Sequence, residues 1–242
     1  MERFSLKSSK VKAHFEEEAA EFDQLILKLI PYYKEMIESL INSIPFNSNQ
    51  PIKVMDLGCG TGTITKQLKE KFPNANVTCL DLAENMIEMA KLKLDGYDDI
   101  NYLTGDFYHF NFTEKYDVVV SSLALHHLIR DEDKKEFYEK IYSALNPGGV
   151  FFNADVVLGS NNYLQNLYIR KWKEFMDKNI NIDEIENKWI PAAEDEDHPA
   201  KLVDQLNWLN EIGFKDIDII WKYYGGAVYG GGPGRPLLWP AR

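Results

Sequence analysis

Apolar runs alternate with amphipathic segments along most of the chain, and this alternation predicts strands and helices in turn. Short apolar runs bounded by turn residues have the length and composition of buried strands. Five such runs are Ile52–Leu57, Asn76–Asp81, Ile100–Thr104, Asp117–Ser121 and Val150–Val157. Apolar residues at helical spacing occur between them, in 63–72, 84–94 and 131–145. Strands that alternate with helices are typical of an α/β protein with a parallel sheet.

The two ends of the chain add further predicted elements. An amphipathic pattern over 13–44, broken near Pro31, predicts N-terminal helices. An aromatic-rich helix is expected over about 160–179. We interpret the acidic stretch 183–197 after it as a solvated surface with one hydrophobic anchor, Trp189–Pro191. A further helix is expected to end at Leu209. The last predicted strands are Phe214–Trp221 and Ala227–Tyr229.

The first strand ends in a turn that has glycine at every second position, Gly58, Gly60 and Gly62. A strand, a glycine turn and a helix, in this order, form the first half of a nucleotide-binding βαβ unit. Glycine is needed where the backbone turns tightly and lies directly against a ligand, because a Cβ would collide with it. The sequence therefore predicts a ligand site at this turn.

Charges around the turn favour a ligand that is cationic at this end. The loop lacks the Gly-Lys-Ser/Thr ending of a phosphate-binding loop, and its third glycine comes one residue early for a dinucleotide fingerprint. Asp56 would repel a pyrophosphate but attract ammonium and sulfonium groups, and no Lys or Arg occurs between it and Thr65. Asp81 ends the second strand, where such folds place a carboxylate for ribose hydroxyls.

Five ordered segments resemble motifs of the class I S-adenosylmethionine-dependent methyltransferases. They are Asp56–Gly62, Leu80–Met86, Gly105–Phe107, Tyr116–Ser121 and Leu145–Gly149. Together they make a specific match, although any one alone is weak. The resemblance implies S-adenosylmethionine as cofactor and S-adenosylhomocysteine as product. It also implies a Rossmann-like, mostly parallel seven-stranded sheet with helices on both faces, an antiparallel last strand, extra N-terminal helices and a helical insertion after strand five.

The resemblance further implies roles for individual residues. The glycines would pass along the methionine part and the ribose, Asp56 would hold the amino end, and Asp81 would bind the ribose hydroxyls. The alternative for Asp81 is a cap for the following helix. The residues expected to bind the cofactor are Asp56, Gly58, Cys59, Gly60, Gly62, Asp81, Leu82, Met86, Asp106, Phe107 and Ser121.

Methyl transfer is an in-line displacement, so the protein mainly aligns the nucleophile and excludes water. A general base helps only where the acceptor arrives protonated. The candidates are His126 and His127, after strand four at the edge where open α/β sheets bind ligands. They point about 100° apart on a helical turn, so at most one faces the methyl group, and we slightly favour His126. The alternative is a histidine hydrogen-bonded to the backbone in a tight turn.

Other candidate residues have weaker support. Phe22 or Phe15 in the N-terminal helices, Asp155 near the end of strand five and Trp172 in the insertion are candidates for substrate contacts. The alternative for the aromatic residues is ordinary packing. His14, His109 and His198 are interpreted as structural or exposed.

We expect a single methyltransferase domain over residues 1–242. Its parts are a helical lid, a cofactor-binding core, a helical insertion, a last helix with the terminal strand pair, and a flexible tail. In the same order, these parts span 13–45, 50–157, 160–198, 199–230 and 231–242. Because the stretch from Gly230 to Pro240 is rich in Gly and Pro, we predict that it forms neither a helix nor a central strand.

Composition limits the classes of molecule that the protein is expected to bind. The formal net charge is −11, and only the first dozen residues, with Arg3, Lys7, Lys10 and Lys12, form a basic run. Nucleic acid is therefore disfavoured, and a small-molecule acceptor is expected. No apolar window reaches about 18 residues and no signal peptide is evident, so we expect no membrane span. Cys59 and Cys79 are expected to be reduced and buried, as in a cytoplasmic protein. We expect a monomer or a homodimer. No metal site is expected, since the chain has no Cys-x-x-Cys and no paired His spacing.

Two other functions stay open at this point. The first is an RNA (tRNA)-modifying enzyme of the same fold, whose basic N-terminal run would bind phosphate. The second is a cofactor-binding relative without catalytic activity. The identity of the acceptor and of the methylated atom is not determined by these residues, because this fold methylates oxygen, nitrogen, carbon and sulfur in very different molecules.

Overall fold

Seven strands form one sheet with the order β3-β2-β1-β4-β5-β7-β6. The structure is a computed structural model that describes residues 10–15 and 21–234. Neighbouring strands are parallel from β3 through β5, whereas β7 runs antiparallel to both β5 and β6. The expected sheet is thereby confirmed. The strands are β1 Lys53–Leu57, β2 Asn76–Asp81, β3 Ile100–Thr104, β4 Tyr116–Ser122, β5 Leu145–Val156, β6 Lys215–Tyr223 and β7 Gly226–Gly232.

Helices cover both faces of this sheet. Residues 10–15 are also helical, Leu125–His127 forms a 3₁₀ turn, and a π-helix over Ile185–Trp189 joins α7 to α8. The α-helices are α1 Phe22–Leu29, α2 Tyr33–Asn42, α3 Thr63–Lys71, α4 Glu84–Lys93, α5 Asp131–Ala144, α6 Asn162–Met176, α7 Ile182–Glu184, α8 Ile190–Glu196 and α9 Leu202–Ile212. Within the described ranges, no helix is both long and apolar enough to cross a membrane.

The core lies on both sides of the central strands. Val118 and Val120 of β4 pack into a cluster that includes α2 and α3, whereas Val119 packs into a second cluster with α5 and α9. All three valines are completely buried. A strand covered on both faces needs apolar residues at successive positions, which explains the apolar run read from the sequence. The carboxyl ends of these rigid strands therefore provide a fixed edge for a site.

The prediction that the glycine-rich stretch forms no central strand is wrong for residues 230–232. These residues end β7, which lies between β5 and β6. A Cβ at Gly230 would lie 1.9 Å from the Phe151 carbonyl oxygen, and one at Gly232 would lie 2.2 Å from the Gly149 carbonyl oxygen. The absence of side chains permits this close approach, so the sheet continues past the expected boundary at residue 230. Residues 235–242 of the expected tail lie outside the described ranges.

The insertion after β5 is helical, as expected. Within it, the acidic stretch 183–197, interpreted as a solvated surface with one hydrophobic anchor, is mostly exposed, and its residues 183–196 belong to the continuous helical segment from α7 through α8. Ile185 and Trp189 anchor it because both are buried in a small cluster with Met176 and Ile180 of the preceding segment. The segment thus packs against α6, and its acidic end returns toward the carboxyl edge of the sheet.

Candidate functional site

The three loop glycines adopt backbone conformations that disfavour other residues. Gly58, Gly60 and Gly62 have φ angles of 71°, 53° and 82°. The Gly58 and Cys59 amides donate hydrogen bonds to the Leu80 carbonyl oxygen, at 2.8 and 2.9 Å. A Cβ at Gly58 would lie 2.2 Å from the Ala124 Cβ. Gly58 therefore meets both a conformational and a steric requirement of the turn.

Asp81, the last residue of β2, connects the loop to the start of α4. Its Oδ2 accepts a hydrogen bond from the Gly60 amide at 2.8 Å, and its Oδ1 accepts one from the Ala83 amide at 2.9 Å. Ala83 directly precedes α4. The Asp81 carboxylate thus fixes the turn before α4 and faces the glycine loop, but it is not a cap of this helix, whose N-cap residue is Ala83 and has no side-chain cap hydrogen bond.

Asp56 in β1 is completely buried. Its Oδ2 accepts a hydrogen bond from the Thr65 hydroxyl at 2.6 Å, whereas its Oδ1 has no hydrogen-bond partner among residues 10–15 and 21–234. Burial raises the pKa of Asp56 to about 7. An unpartnered buried carboxylate oxygen is unfavourable, and a nearby cation would offset this cost. The pKa of the nearby Tyr33 hydroxyl is raised, first by burial and then by the Asp56 charge.

A cavity above the glycine loop, called here the loop cavity, brings together most of the residues expected to bind the cofactor. Asp56, Gly62 and Ser121 do not line it. Ser121 is buried and its hydroxyl donates to the Leu57 carbonyl oxygen, while its neighbour Ser122 lines the cavity, because successive strand residues face opposite sides. The expected residues in the lining are Gly58, Cys59, Gly60, Asp81, Leu82, Met86, Asp106 and Phe107.

A second cavity, called here the middle cavity, lies beside the loop cavity beneath α1. Its walls are mostly apolar and include Leu25, Ile26, Trp172 and Trp189. Phe22 and Trp172, both expected to contact substrate, line it. The residues that line both the middle and the loop cavity are Phe15, Phe22, Leu123, His127 and Glu196. The two cavities therefore adjoin along a shared wall.

His126 is held between two carboxylates. Its Nδ1 lies 2.5 Å from Asp155 Oδ1, and its Nε2 lies 3.3 Å from Asp197 Oδ1. Burial by itself would lower the pKa of His126, but the two carboxylates outweigh it and raise the pKa to about 10. At neutral pH the imidazole is therefore protonated, and both of its N–H groups face an acceptor. Asp155 is buried and lies outside the cavity linings, so it contacts His126 rather than the cavities.

His127 has the opposite protonation. Burial and the neighbouring His126 charge lower the pKa of His127 to about 4, so the ring is neutral at neutral pH. Its Nδ1 lies 3.3 Å from the Glu196 carbonyl oxygen, which assigns the proton to Nδ1. Its Nε2 is buried and, within the described part of the chain, has no hydrogen-bond partner. The wall between the two cavities thus carries a neutral imidazole with a free lone pair.

Several residues at this site were missed or misread from the sequence. Glu196 and Asp197 come from the stretch interpreted as a solvated surface, and His14 and His198, interpreted as structural or exposed, line the middle and loop cavities. His14 Nδ1 lies 3.3 Å from Glu196 Oε2. The anchor at Trp189 was a signal that the segment packs inward, but no pattern indicated that its end reaches strand four. His109 is exposed, as expected.

His126, His127 and Asp197 also have the spacing of metal ligands, since one donor atom from each lies within 4.8 Å of the others. In the protein as described, both nitrogens of His126 face carboxylates and its raised pKa retains the proton. Hydrogen bonds and charge therefore account for the arrangement, and we assign no metal to it.

The sequence matches one family model, described as a methyltransferase domain, over residues 54–149. A relative named carboxy-S-adenosyl-L-methionine synthase, from Nautilia profundicola, is 24% identical over 216 residues, covering 88% of this chain and 91% of the relative. A malonyl-[acyl-carrier protein] O-methyltransferase from Priestia megaterium is 35% identical over 123 residues, covering 48% of this chain and 41% of the relative.

Solved structures show the same fold. A complex of DhpI with SAM and HEP has a TM-score of 0.63 at 19% identity, covering 93% of this chain and 96% of that chain. At this identity the similarity concerns the fold rather than the substrate. The matched sequence spans the strand, glycine loop and acidic strand end that surround the loop cavity.

Proposed function

Because the chain belongs to the class I S-adenosylmethionine-dependent methyltransferases, we propose that it transfers the methyl group of this cofactor to a small molecule in the middle cavity. The observation that carries the proposal is the wall that the loop and middle cavities share, with His127 in it. A cofactor bound over the glycine loop and an acceptor beneath α1 would meet at this wall. We further propose that residues 10–15 and α1 act as the lid over this junction.

The residues of the loop cavity fit each part of the cofactor. The Asp81 carboxylate suits the ribose hydroxyls, since it lies at the end of β2 beside the glycine loop. Asp56 does not line this cavity, but its buried carboxylate just before the glycine loop provides negative charge for the amino end. Leu82, Met86 and Phe107 offer apolar contact for the adenine. The cofactor supplies a methyl group already activated by a positive sulfur.

The reaction balances without a further reagent. The acceptor atom attacks the methyl carbon, the carbon–sulfur bond breaks, and its electron pair remains on sulfur as a neutral thioether. An acceptor that arrives as O–H or N–H also loses a proton, which passes to His127 Nε2 and from there to solvent. We propose that His127 Nε2 accepts a hydrogen bond from this group and orients its lone pair toward the methyl carbon. This role fits His127 better than His126, whose nitrogens both face carboxylates.

The surroundings of the site favour a small, largely apolar acceptor. Glu196 lies at the junction and Asp195 lines the loop cavity, where it is paired with Lys10 at 3.0 Å. Acidic groups at the opening and a net charge of −11 oppose RNA. An RNA substrate would require binding that weakens steeply with salt, so the absence of RNA binding at low salt would eliminate that alternative.

A second candidate is synthesis of a carboxylated form of the cofactor. The observation in its favour is that the relative with that name aligns with 88% of this chain. The charge at the wall shared by the two cavities opposes it, because Glu196 would repel a carboxylate beside the sulfonium. Mass spectrometry of the reaction products distinguishes the two: a methylated acceptor with S-adenosylhomocysteine supports methyl transfer, and a cofactor heavier by one carboxyl group supports the alternative.

The first test is calorimetric titration with S-adenosylhomocysteine, with NADH as a parallel control. We expect micromolar binding of S-adenosylhomocysteine alone, weakened at least tenfold, or about 1.4 kcal/mol, by Asp81→Ala. Asp95→Ala, which removes an exposed carboxylate at the end of α4, should leave binding unchanged. Tighter binding of NADH would refute the cofactor assignment for this site. Binding without turnover on any acceptor would instead support the non-catalytic alternative.

A further inference from the structure

We infer that the methyl acceptor carries an elongated apolar tail that binds in a third cavity, beyond Trp172. This cavity, called here the outer cavity, lies between α6, α8 and the turn that joins β6 to β7. Its walls include Tyr168, Ile190 and Tyr224. The inference rests on the proposed function, because it extends the acceptor site away from the cofactor.

The outer and middle cavities adjoin along a shared wall. The residues that line both are Ile30, Val156, Trp172, Ala193 and Asp197. Trp172 is fixed in this wall because its Nε1 donates a hydrogen bond to the Leu29 carbonyl oxygen at 2.7 Å. A molecule whose reactive atom lies at His127 can therefore extend past the indole into the outer cavity.

The chemistry of the outer cavity favours an alkyl or aryl tail. Three tyrosines, Tyr168, Tyr223 and Tyr224, contribute aromatic surface. The charged groups in or beside this lining already have partners: Lys171 pairs with Glu174 at 2.7 Å, Lys222 lies over the Tyr168 ring at 4.6 Å, and Asp197 faces His126. Glu194 is exposed at the surface. A negatively charged tail would lack a matching partner there, because both lysines are already engaged, whereas an apolar tail would be removed from water.

A strained residue gives independent support. Tyr224 has a φ angle of 44° in the two-residue turn between β6 and β7, at a position where glycine is preferred. Such strain persists where the side chain is needed, and it concentrates at binding sites. The Tyr224 ring lies 6.1 Å from the Tyr168 ring and 4.8 Å from the Tyr223 ring, measured between centroids. An aromatic ring is thus retained in the wall of the outer cavity despite an unfavourable backbone conformation at Tyr224.

The test is calorimetric binding of 1-hexanol, 1-octanol and 1-decanol to the full chain saturated with S-adenosylhomocysteine. Each added methylene buried in the cavity should raise the affinity by about fourfold. An affinity that does not change with chain length would overturn the inference. These probes need no reactive group, so the result does not depend on which atom the enzyme methylates.

Two variants locate the binding. Tyr224→Gly relieves the backbone strain and removes the aromatic wall, and Ala193→Trp fills the passage beside Trp172. Each should weaken 1-decanol binding at least tenfold and affect 1-hexanol less. Asp216→Gly is the matched control, because Asp216 also has a positive φ, of 52°, but is exposed and outside the outer-cavity lining. Unchanged decanol binding in both cavity variants would refute the tail site.

S-adenosylhomocysteine binding separates the two proposals. Ala193 and Tyr224 do not line the loop cavity, so both variants should bind this ligand like the unaltered protein, which also shows that they are folded. If the unaltered protein binds S-adenosylhomocysteine but shows no chain-length dependence, the tail site fails and the proposed function stands. If it does not bind S-adenosylhomocysteine, the proposed function fails.

Discussion

His126 Nδ1 lies 2.5 Å from Asp155 Oδ1, and both side chains are buried where β4 and β5 end. The carboxylate is itself held, since the Asn153 amide donates to Asp155 Oδ2 at 3.2 Å and to the Tyr229 hydroxyl at 2.9 Å. The pair therefore anchors the 3₁₀ turn to the sheet. Because His127 is the next residue in that turn, the anchor also fixes the imidazole at the junction of the two cavities.

This ion pair predicts how stability depends on pH. The folded pKa of His126, about 10, lies above the ordinary value of 6.5. The stabilisation is therefore fully present below about pH 6.5 and is lost as the pH rises through 10. Urea denaturation should show an unfolding free energy that falls between pH 7 and 10. His126→Gln should reduce this decline, whereas exposed His109→Gln should retain it; equal pH dependence in all three proteins would contradict the assignment.

Replacement of His127 should affect turnover more than cofactor binding. We expect His127→Gln to lower kcat by about 10²–10⁴-fold, because the free Nε2 acceptor is lost, with little change in S-adenosylhomocysteine affinity. Since the pKa of His127 is about 4, kcat at saturating cofactor should not fall between pH 8 and 6. Steady-state kinetics across this range is the measurement. A loss of rate centred near 6.5, the ordinary histidine value, would count against a neutral His127.

Cofactor affinity should depend on the ionisation of Asp56. Burial raises its pKa to about 7, so acidification below this value removes the negative charge that attracts the amino end of the ligand. We expect S-adenosylhomocysteine binding to weaken as the pH falls from 8 to 6, by at most about tenfold per pH unit. Asp56→Asn should bind weakly at every pH and lose this dependence. Calorimetry in matched buffers provides the comparison, and an unchanged slope in the variant would assign the titration to another group.

The loop conformation predicts different outcomes at two glycines. Residue 58 has a positive φ, and the Cβ added by Gly58→Ala would lie 2.2 Å from the Ala124 Cβ. This variant should therefore displace the loop and abolish cofactor binding. Gly96→Ala also has a positive φ, of 92°, but no atom lies within 4 Å of the added Cβ. It should lower the melting temperature modestly and bind S-adenosylhomocysteine normally. Normal binding by Gly58→Ala would show that the close approach is not required.

The glycine-loop side of the loop cavity could be predicted because its motifs are local in the sequence, whereas Glu196 and His198 of the same lining could not. Each motif follows a strand directly, and the carboxyl ends of parallel strands meet at one edge of the sheet. Gly58, Asp81 and Asp106 therefore come together in any correct arrangement of β1 to β3. The exchange of Ser121 for Ser122 in the lining shows the limit, because a buried strand with apolar residues on both faces does not reveal which face each residue takes.

The sequence by itself determined the parallel sheet, the glycine loop and the preference for a cationic ligand, because strand pattern, turn chemistry and charge act over a few neighbouring residues. The cofactor followed from the resemblance of its motifs to those of the methyltransferases. Only the tertiary structure decided which of His126 and His127 is neutral, with a ring nitrogen that accepts no hydrogen bond from the described residues. That depends on Asp155 and Asp197, which lie 29 and 71 residues away from His126 and reach it only through the packing of β5 and the return of the insertion. Burial and charge at such contacts set opposite protonation states for two adjacent, chemically identical side chains, and no local pattern records them.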